Sequence, residues 1–273
     1  MNDTIKVFVG TDSNCSDLES QAVLEWSLRK HTKANVEIEW MMLSRDKDSF
    51  WYSSGDGVKG WNTTEYATPF SAFRWGIPAR CDFKGKAIYM DSDMIVLSDI
   101  ADLWNQDFHG KPLISKGSKM PDRFCVTLFD NEKIQKYMPY IDEIRSSKDL
   151  YKKISHYFAA NHEELVTDFV GNWNCIDGEN LPMDQIDIFH HSAMNSQLCH
   201  KYSLSRLQSE NRQHWYTGYI SDHPRKDARK LFDDLLVEAY ENGYTLDKYN
   251  PIELYGSYKK EYQNFIGNAN QYA

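Results

Sequence analysis

Basic clusters, paired cysteines and long apolar runs are all missing from this 273-residue chain, and each gap closes off a class of function. Lys and Arg number 31 against 40 Asp and Glu, a formal charge of −9 that no Lys/Arg-rich block offsets. An acidic surface repels a phosphate backbone, so no nucleic acid is expected as a partner. The five cysteines, Cys15, Cys81, Cys125, Cys175 and Cys199, form no C-x-x-C pair and no metal-finger spacing. An odd, scattered set leaves at least one thiol free and fits a reducing, cytoplasmic setting. No window approaches the ~18 apolar residues that suggest a membrane span, and the first residues lack the basic and apolar regions of a secretory leader. Neither is expected. Internal repeats and low-complexity blocks are also missing.

What is present is an alternation of strands and helices. Val7, Phe8 and Val9 form a short apolar strand, followed by the loop Gly10-Thr11-Asp12-Ser13-Asn14 and a helix over residues 20–30. Residues 36–42 alternate as a second strand. Residues 46–62, rich in Ser, Gly, Asp and Lys, read as a long mobile loop. Thr68 is expected to cap a helix with Pro69 at its first position and Phe70, Phe73 and Ile77 along one face, ended by Pro78. Strands follow at residues 86–91 and 95–97, then a turn capped by Ser98. Further strands are expected at residues 112–114 and 125–129, helices at 131–140 and 148–159, and an alternating segment through Ile186, Ile188 and His190. A helix over residues 227–242 closes at Gly243, and residues 267–273 read as a frayed tail. The pattern favours a largely parallel sheet, whose ligands bind where strands end, near Thr11 and Asp91.

Two Asp-x-Asp triplets occur, so the spacing alone selects nothing. Asp46-Lys47-Asp48 lies among Ser, Arg and Lys. Asp91-Ser92-Asp93 instead interrupts the apolar run Ala87-Ile88-Tyr89-Met90…Met94-Ile95-Val96-Leu97, where a buried carboxylate needs a cation or a strong partner. Hard oxygen ligands select Mg²⁺ or Mn²⁺, and such ions are commonly held by one or two carboxylates with a substrate's phosphates completing the shell.

Taken together, Val7-Phe8-Val9-Gly10-Thr11-Asp12, Phe70-Ser71-Ala72-Phe73-Arg74, the Asp91 segment through Ile100, and Phe189-His190-His191 resemble a GT-A glycosyltransferase of the family 8 type, which includes glycogenin and bacterial galactosyl- and glucosyltransferases. The likeness covers roughly residues 5–205. It implies an α/β GT-A fold with a Rossmann-like, mostly parallel central sheet flanked by helices. Residues 1–205 would form the catalytic domain and 206–273 a mainly helical extension packed on it. It further implies a metal-dependent hexosyl transfer from a UDP-sugar, with retention, to a carbohydrate or glycoconjugate acceptor. On that resemblance Val9, Thr11 and Asp12 contact uracil and ribose, Met90 and Ser92 line the donor, and Arg74, 17 positions before Asp91, holds the donor's phosphates. Asp91, Asp93 and His190 bind Mn²⁺ or Mg²⁺, with His191 as the alternative ligand. Asp91, Asp93 and Arg74 carry catalysis. Gln197 stands near where the family has a Lys facing the diphosphate; without that Lys, neutralisation falls on the metal, Arg74 and Lys201. Asn172, Trp173, Asn174 and Asp177 would line the sugar pocket, while Trp173 and Trp215 taken singly read as packing residues. The family's Asp-Gln-Asp acceptor motif is not evident, so no nucleophile is assigned. The 46–62 loop, with Trp51, Tyr52 and Trp61, would fold over bound donor. Two rivals stand beside this reading: a haloacid-dehalogenase-like phosphatase using the Asp-x-Asp pair, and a catalytically silent glycan-binding protein on the same scaffold.

Overall fold

β1 (Ile5–Gly10) is buried at five of its six positions, and only an interior strand accommodates an apolar run of that kind. The computed structural model describes residues 4–117, 120, 123–250 and 253–258. After β1 come β2 (Val36–Met41), β3 (Lys86–Asp91), β4 (Met94–Val96), β5 (Leu113–Ser115), β6 (Val126–Asp130), β7 (Val166–Asp168), β8 (Cys175–Ile176) and β9 (Ile188–His190). The main sheet has the order β2-β1-β3-β6-β5-β7, and a smaller one the order β4-β9-β8. β1 runs parallel to both β2 and β3, and β5 to β7, whereas β6 is antiparallel to β3 and β5. Gly10 pairs with Asp91, so the β1 and β3 ends share one edge.

Three apolar clusters surround this frame, one around Trp61 and Trp75, one beneath β1 and β3, and one beneath the helix Leu18–His31. That helix buries charge as well as apolar surface: Glu19 pairs with Arg206 at 2.8 Å, and Glu25 with Arg29 and Lys248, each at 3.0 Å. The C-terminal helix Lys226–Glu241 turns Phe232, Leu235, Leu236 and Ala239 inward at helical spacing. Its Glu238 accepts from Trp26 Nε1 at 2.9 Å. Gly243, at φ +84°, supplies the left-handed residue that ends it, as its position in the sequence suggests. The expected tail, residues 267–273, lies outside the described residues.

Four local expectations are corrected. Residues 46–62 have no helix, but they are not a loose lid: Trp51 and Trp61 are buried, stack at 5.7 Å, and both meet Phe73. Two large rings in one segment bury more apolar surface than its polar residues can keep in water. Thr68 does not cap a helix at Pro69. Ser71 Oγ instead accepts from the Thr68 backbone N–H at 2.8 Å in a turn, and helical structure starts at Phe73–Gly76 as a 3₁₀ segment. Pro78 opens rather than ends the next helix, Ile77–Arg80, since its missing N–H costs nothing in the first turn. The helix Ile100–Trp104 is capped by Asp99, whose carboxylate accepts from Ala101 N, and not by Ser98.

Candidate active site

The ends of β3 and β9 open on one cavity of about 300 Å³, lined by Asp17, Arg74, Asp91, Ser92, Asp93, Arg123, Cys125, His190, Gln197 and Trp215 among others. Gly10 lets the edge close: a Cβ there would stand 2.6 Å from the Phe70 ring and 3.1 Å from the Tyr89 hydroxyl. That hydroxyl donates a short hydrogen bond to Asp91 Oδ1. Arg74 Nη2 lies 3.4 Å from the same oxygen, and its guanidinium stacks 4.6 Å over the Tyr89 ring. Burial alone would lower the Arg74 pKa, but Tyr89, Asp91 and Cys125 outweigh it and hold the cation more firmly charged.

After Asp91 the chain turns at Ser92 and Asp93 into β4, which pairs antiparallel with β9 so that Met94 faces His190. His190 Nε2 comes to 3.3 Å from Asp93 Oδ1, and Gln197 Nε2 donates to Asp93 Oδ2 at 2.6 Å. The His190 separation is an ion-pair distance without hydrogen-bond geometry, so Asp93 Oδ1 is buried with no donor. Burial pushes the Asp93 carboxyl up, but His190, with His191 and the backbone, together outweigh it and hold it below the ordinary value. The reciprocal pull of Asp93 overcomes burial at His190 and raises its pKa. Behind His190, Asn174 Oδ1 lies 3.1 Å from Nδ1. A proton on Nδ1 would make that contact and leave Nε2 free for a ligand. Carboxylate, thiol and imidazole atoms of Asp91, Cys125 and His190 all lie within 4.8 Å of one another.

Strand alternation separates the two candidate histidines. His190 faces the cavity, whereas the fully buried His191 turns its ring against Phe232 at 5.8 Å, and burial depresses its pKa to about 4. Several other candidates fall elsewhere. Val9 and Met90 are core side chains beneath the site. Thr11 donates to Asp17 at 2.9 Å and accepts from Gln21, and Asp12 accepts from the Asn14 and Ser16 backbones. None of these four lines the cavity. Gln197 lines the cavity and donates to Asp93. Lys201 pairs outside it with Asp233 at 3.3 Å, and the additional cation on the cavity wall is Arg123. Trp173 is core, and Asp177 binds His223 and the Ala193 N–H. Asp46 accepts from the Asp48 backbone in an exposed turn, so the first Asp-x-Asp triplet is local scaffolding.

Asp17, Cys125 and Arg123 carry no motif, Tyr89 stands inside the Asp91 run without an assigned role, and sequence reasoning passed over all four. Asp17 is the most consequential. Its carboxylate accepts from Thr11, the Asp12 N–H and Ser92 Oγ (2.6 Å), joining the β1 loop to the Asp91 turn. Burial, and then the Asp12 charge, raise its pKa to about 7. Its spacing after Asp12 resembles an ordinary helix-start carboxylate, which hid it.

A second cavity, of about 240 Å³, adjoins the first across Trp215 and is bounded also by Ser16, His214 and Ser257. Trp215 therefore forms part of two cavity walls while packing, half-buried, against the core around Trp61 and Trp75, as expected of it. His214 Nδ1 accepts from the Tyr216 N–H at 2.9 Å, and burial, with the neighbouring His200, depresses its pKa to about 3. The unfolded chain, near the ordinary 6.5, takes up this proton first as pH falls. The stability His214 allows at neutral pH is therefore lost progressively from pH 6.5 towards 3. His214→Asn keeps an acceptor for Tyr216 and cannot charge. Denaturant melts should show its stability falling less than wild type between pH 7 and 4, by on the order of 3 kcal/mol. Equal acid limbs would contradict the assignment.

No protein-family profile matches the chain, and no curated protein sequence does. Solved structures do resemble it. The bifunctional glycosyltransferase WbbM aligns with a TM-score of 0.56 at 12% identity, over 90% of this chain and 52% of WbbM. The galactosyltransferase LgtC, solved with donor and acceptor sugar analogues, gives 0.54 at 11% over 86% of this chain and 96% of LgtC. The glycosyltransferase GlyE of Streptococcus pneumoniae TIGR4 gives 0.52 at 14% over 89% and 65%. This chain thus spans about half the length of WbbM. The likeness shows the fold: an α/β GT-A architecture. No helix among the described residues is long and apolar enough to cross a membrane.

Proposed function

We propose that this chain is a metal-dependent glycosyltransferase that moves a hexosyl group from a nucleotide diphosphate sugar, UDP-glucose or UDP-galactose, to a carbohydrate or glycoconjugate acceptor with retention of anomeric configuration. One observation carries the reading: Asp91, Asp93 and His190 line one cavity with Arg74, Asp93 Oδ1 lying 3.3 Å from His190 Nε2 and buried without a hydrogen-bond donor. That donor set fits a divalent cation, Mn²⁺ or Mg²⁺. When bound, such an ion neutralises charge developing on the leaving diphosphate, worth several kcal/mol in the transition state.

The chain's own groups do the rest. Arg74 remains charged and offers a planar fork suited to phosphate oxygens. Tyr89 and Arg74 hold Asp91, and Gln197 holds Asp93, so both carboxylates are oriented before substrate arrives. Arg123, on the cavity wall, adds positive charge near the carboxylates that line the same cavity. Asp17, through Ser92 and Thr11, fixes the loop on which the nucleoside would rest. In the same reading residues 1–205 form the catalytic domain, and residues 206–273 the extension that contributes Trp215 to the cavity wall. No observation favours the phosphatase, because each carboxylate is held by a hydrogen bond, Asp91 from Tyr89 and Asp93 from Gln197, and the architecture is GT-A.

Calorimetric titration with UDP, and with GDP as control, tests the reading in Mn²⁺ and then in EDTA. UDP binding that needs Mn²⁺ is expected. No UDP binding by the folded protein in either condition would overturn it, and binding without transfer or donor hydrolysis would favour the silent glycan-binding alternative.

A further inference from the structure

The cavity contains a sulfur atom that the glycosyltransferase reading leaves unused. Cys125 immediately precedes β6 and lines the cavity beside Asp91 and His190. One donor atom from each of the three lies within 4.8 Å of the others, and no other such trio of His, Cys, Asp and Glu is found among the described residues. One further feature points to a cation. Asp93 Oδ1 is buried without a hydrogen-bond donor, 3.3 Å from His190 Nε2. Asn174 occupies the other His190 nitrogen, so Nε2 is the one turned toward the cluster.

The donor chemistry differs from that of an all-oxygen site. Mg²⁺ prefers oxygen ligands and an octahedral shell, whereas a thiolate with imidazole and carboxylate selects softer ions such as Zn²⁺ or Cd²⁺. Donor atoms around a tetrahedral zinc ion, bonded at about 2.0–2.3 Å, stand roughly 3.3–3.8 Å apart. Closing the trio from its present spread requires side-chain movements of about 1 Å, within reach of ordinary rotamer adjustment. Arg74 Nη1 lies 4.0 Å from Sγ, and burial with the Asp91 charge pushes the Cys125 thiol up to about 12, so a bound cation has to displace its proton.

We propose that Cys125 is a ligand in this cavity, acting with Asp91, Asp93 and His190, so that the site takes a thiophilic divalent cation in preference to Mg²⁺. On binding, the Sγ–H bond breaks, the proton leaves to solvent and the sulfur forms a bond to the metal. The proposal shares its carboxylates and His190 with the glycosyltransferase reading, but not its nucleotide.

Cd²⁺ titration of the full-length protein without nucleotide tests it, read as the ultraviolet thiolate-to-cadmium charge-transfer band and by calorimetry with Zn²⁺ and Mg²⁺. Wild type should show a band saturating at one equivalent and bind Zn²⁺ more tightly than Mg²⁺. Cys125→Ser should abolish the band and weaken Cd²⁺ binding at least about 100-fold, the upper end of what losing a residue behind a ligand costs. Cys125→Ala is the second variant should Cys125→Ser not fold. A band that survives in a folded variant, or a wild type binding Mg²⁺ as tightly as Zn²⁺, would overturn the proposal. A Cys125-dependent band in a protein that ignores UDP would sink the nucleotide reading and spare this one. UDP–Mn²⁺ binding without such a band would do the reverse.

Discussion

Asp93→Asn should lower sugar transfer, or donor hydrolysis, by at least about a thousandfold, equivalent to roughly 4 kcal/mol of lost transition-state stabilisation. The substitution keeps the side chain's size and removes its charge. Asp93 is placed for this role by the tight turn between β3 and β4, by Gln197 on Oδ2 and by His190 near Oδ1. Its lowered pKa keeps it ionised at neutral pH and well into the acid range. The amide cannot supply a charged oxygen to a cation, so the loss should fall on kcat as well as on metal affinity. Steady-state rates at saturating Mn²⁺, with circular dichroism to establish folding, provide the measurement. An activity within tenfold of wild type would remove Asp93 from the mechanism.

Trp61→Ala should cost about 3–5 kcal/mol of stability, the usual range for deleting a large buried aromatic. Trp61 is fully buried, stacks on Trp51, meets Phe73 edge-on at 4.9 Å and donates from Nε1 to the Phe50 carbonyl at 2.9 Å. The segment it belongs to looks mobile in sequence and is anchored in structure. A thermal melt should show Tm reduced by about 10 °C, given ~2–4 °C per kcal/mol for a chain of this size. A shift below 2 °C would mean that the segment moves freely, as a lid would.

That segment illustrates where sequence reading stops. β1, β3 and the C-terminal helix were legible because their apolar periodicity and the punctuation at Gly10 and Gly243 are local properties. The Asp91–Asp93 pair stood out because carboxylates interrupt an apolar strand. His190 followed from the family resemblance, and the β4–β9 pairing explains why it, and not its neighbour His191, faces the cavity. Other features depend on long-range contacts. Trp51 and Trp61 are recognisable as core only once Phe73 lies against them. Asp17 shares a hydrogen bond with Ser92, 75 positions away, and Cys125 meets His190 across two sheets. Thr11 and Asp12, the obvious loop candidates, turn out to be occupied by Asp17 and by the loop backbone.

Diffraction from crystals soaked with UDP and Mn²⁺, collected at the manganese absorption edge, tests the central claim most directly. The account predicts an anomalous peak within bonding distance of Asp91 or Asp93 and of His190, with UDP phosphate oxygens on its open side and Arg74 beside them. Manganese and UDP bound elsewhere, or UDP in this cavity with no metal between its phosphates and the two aspartates, would contradict it.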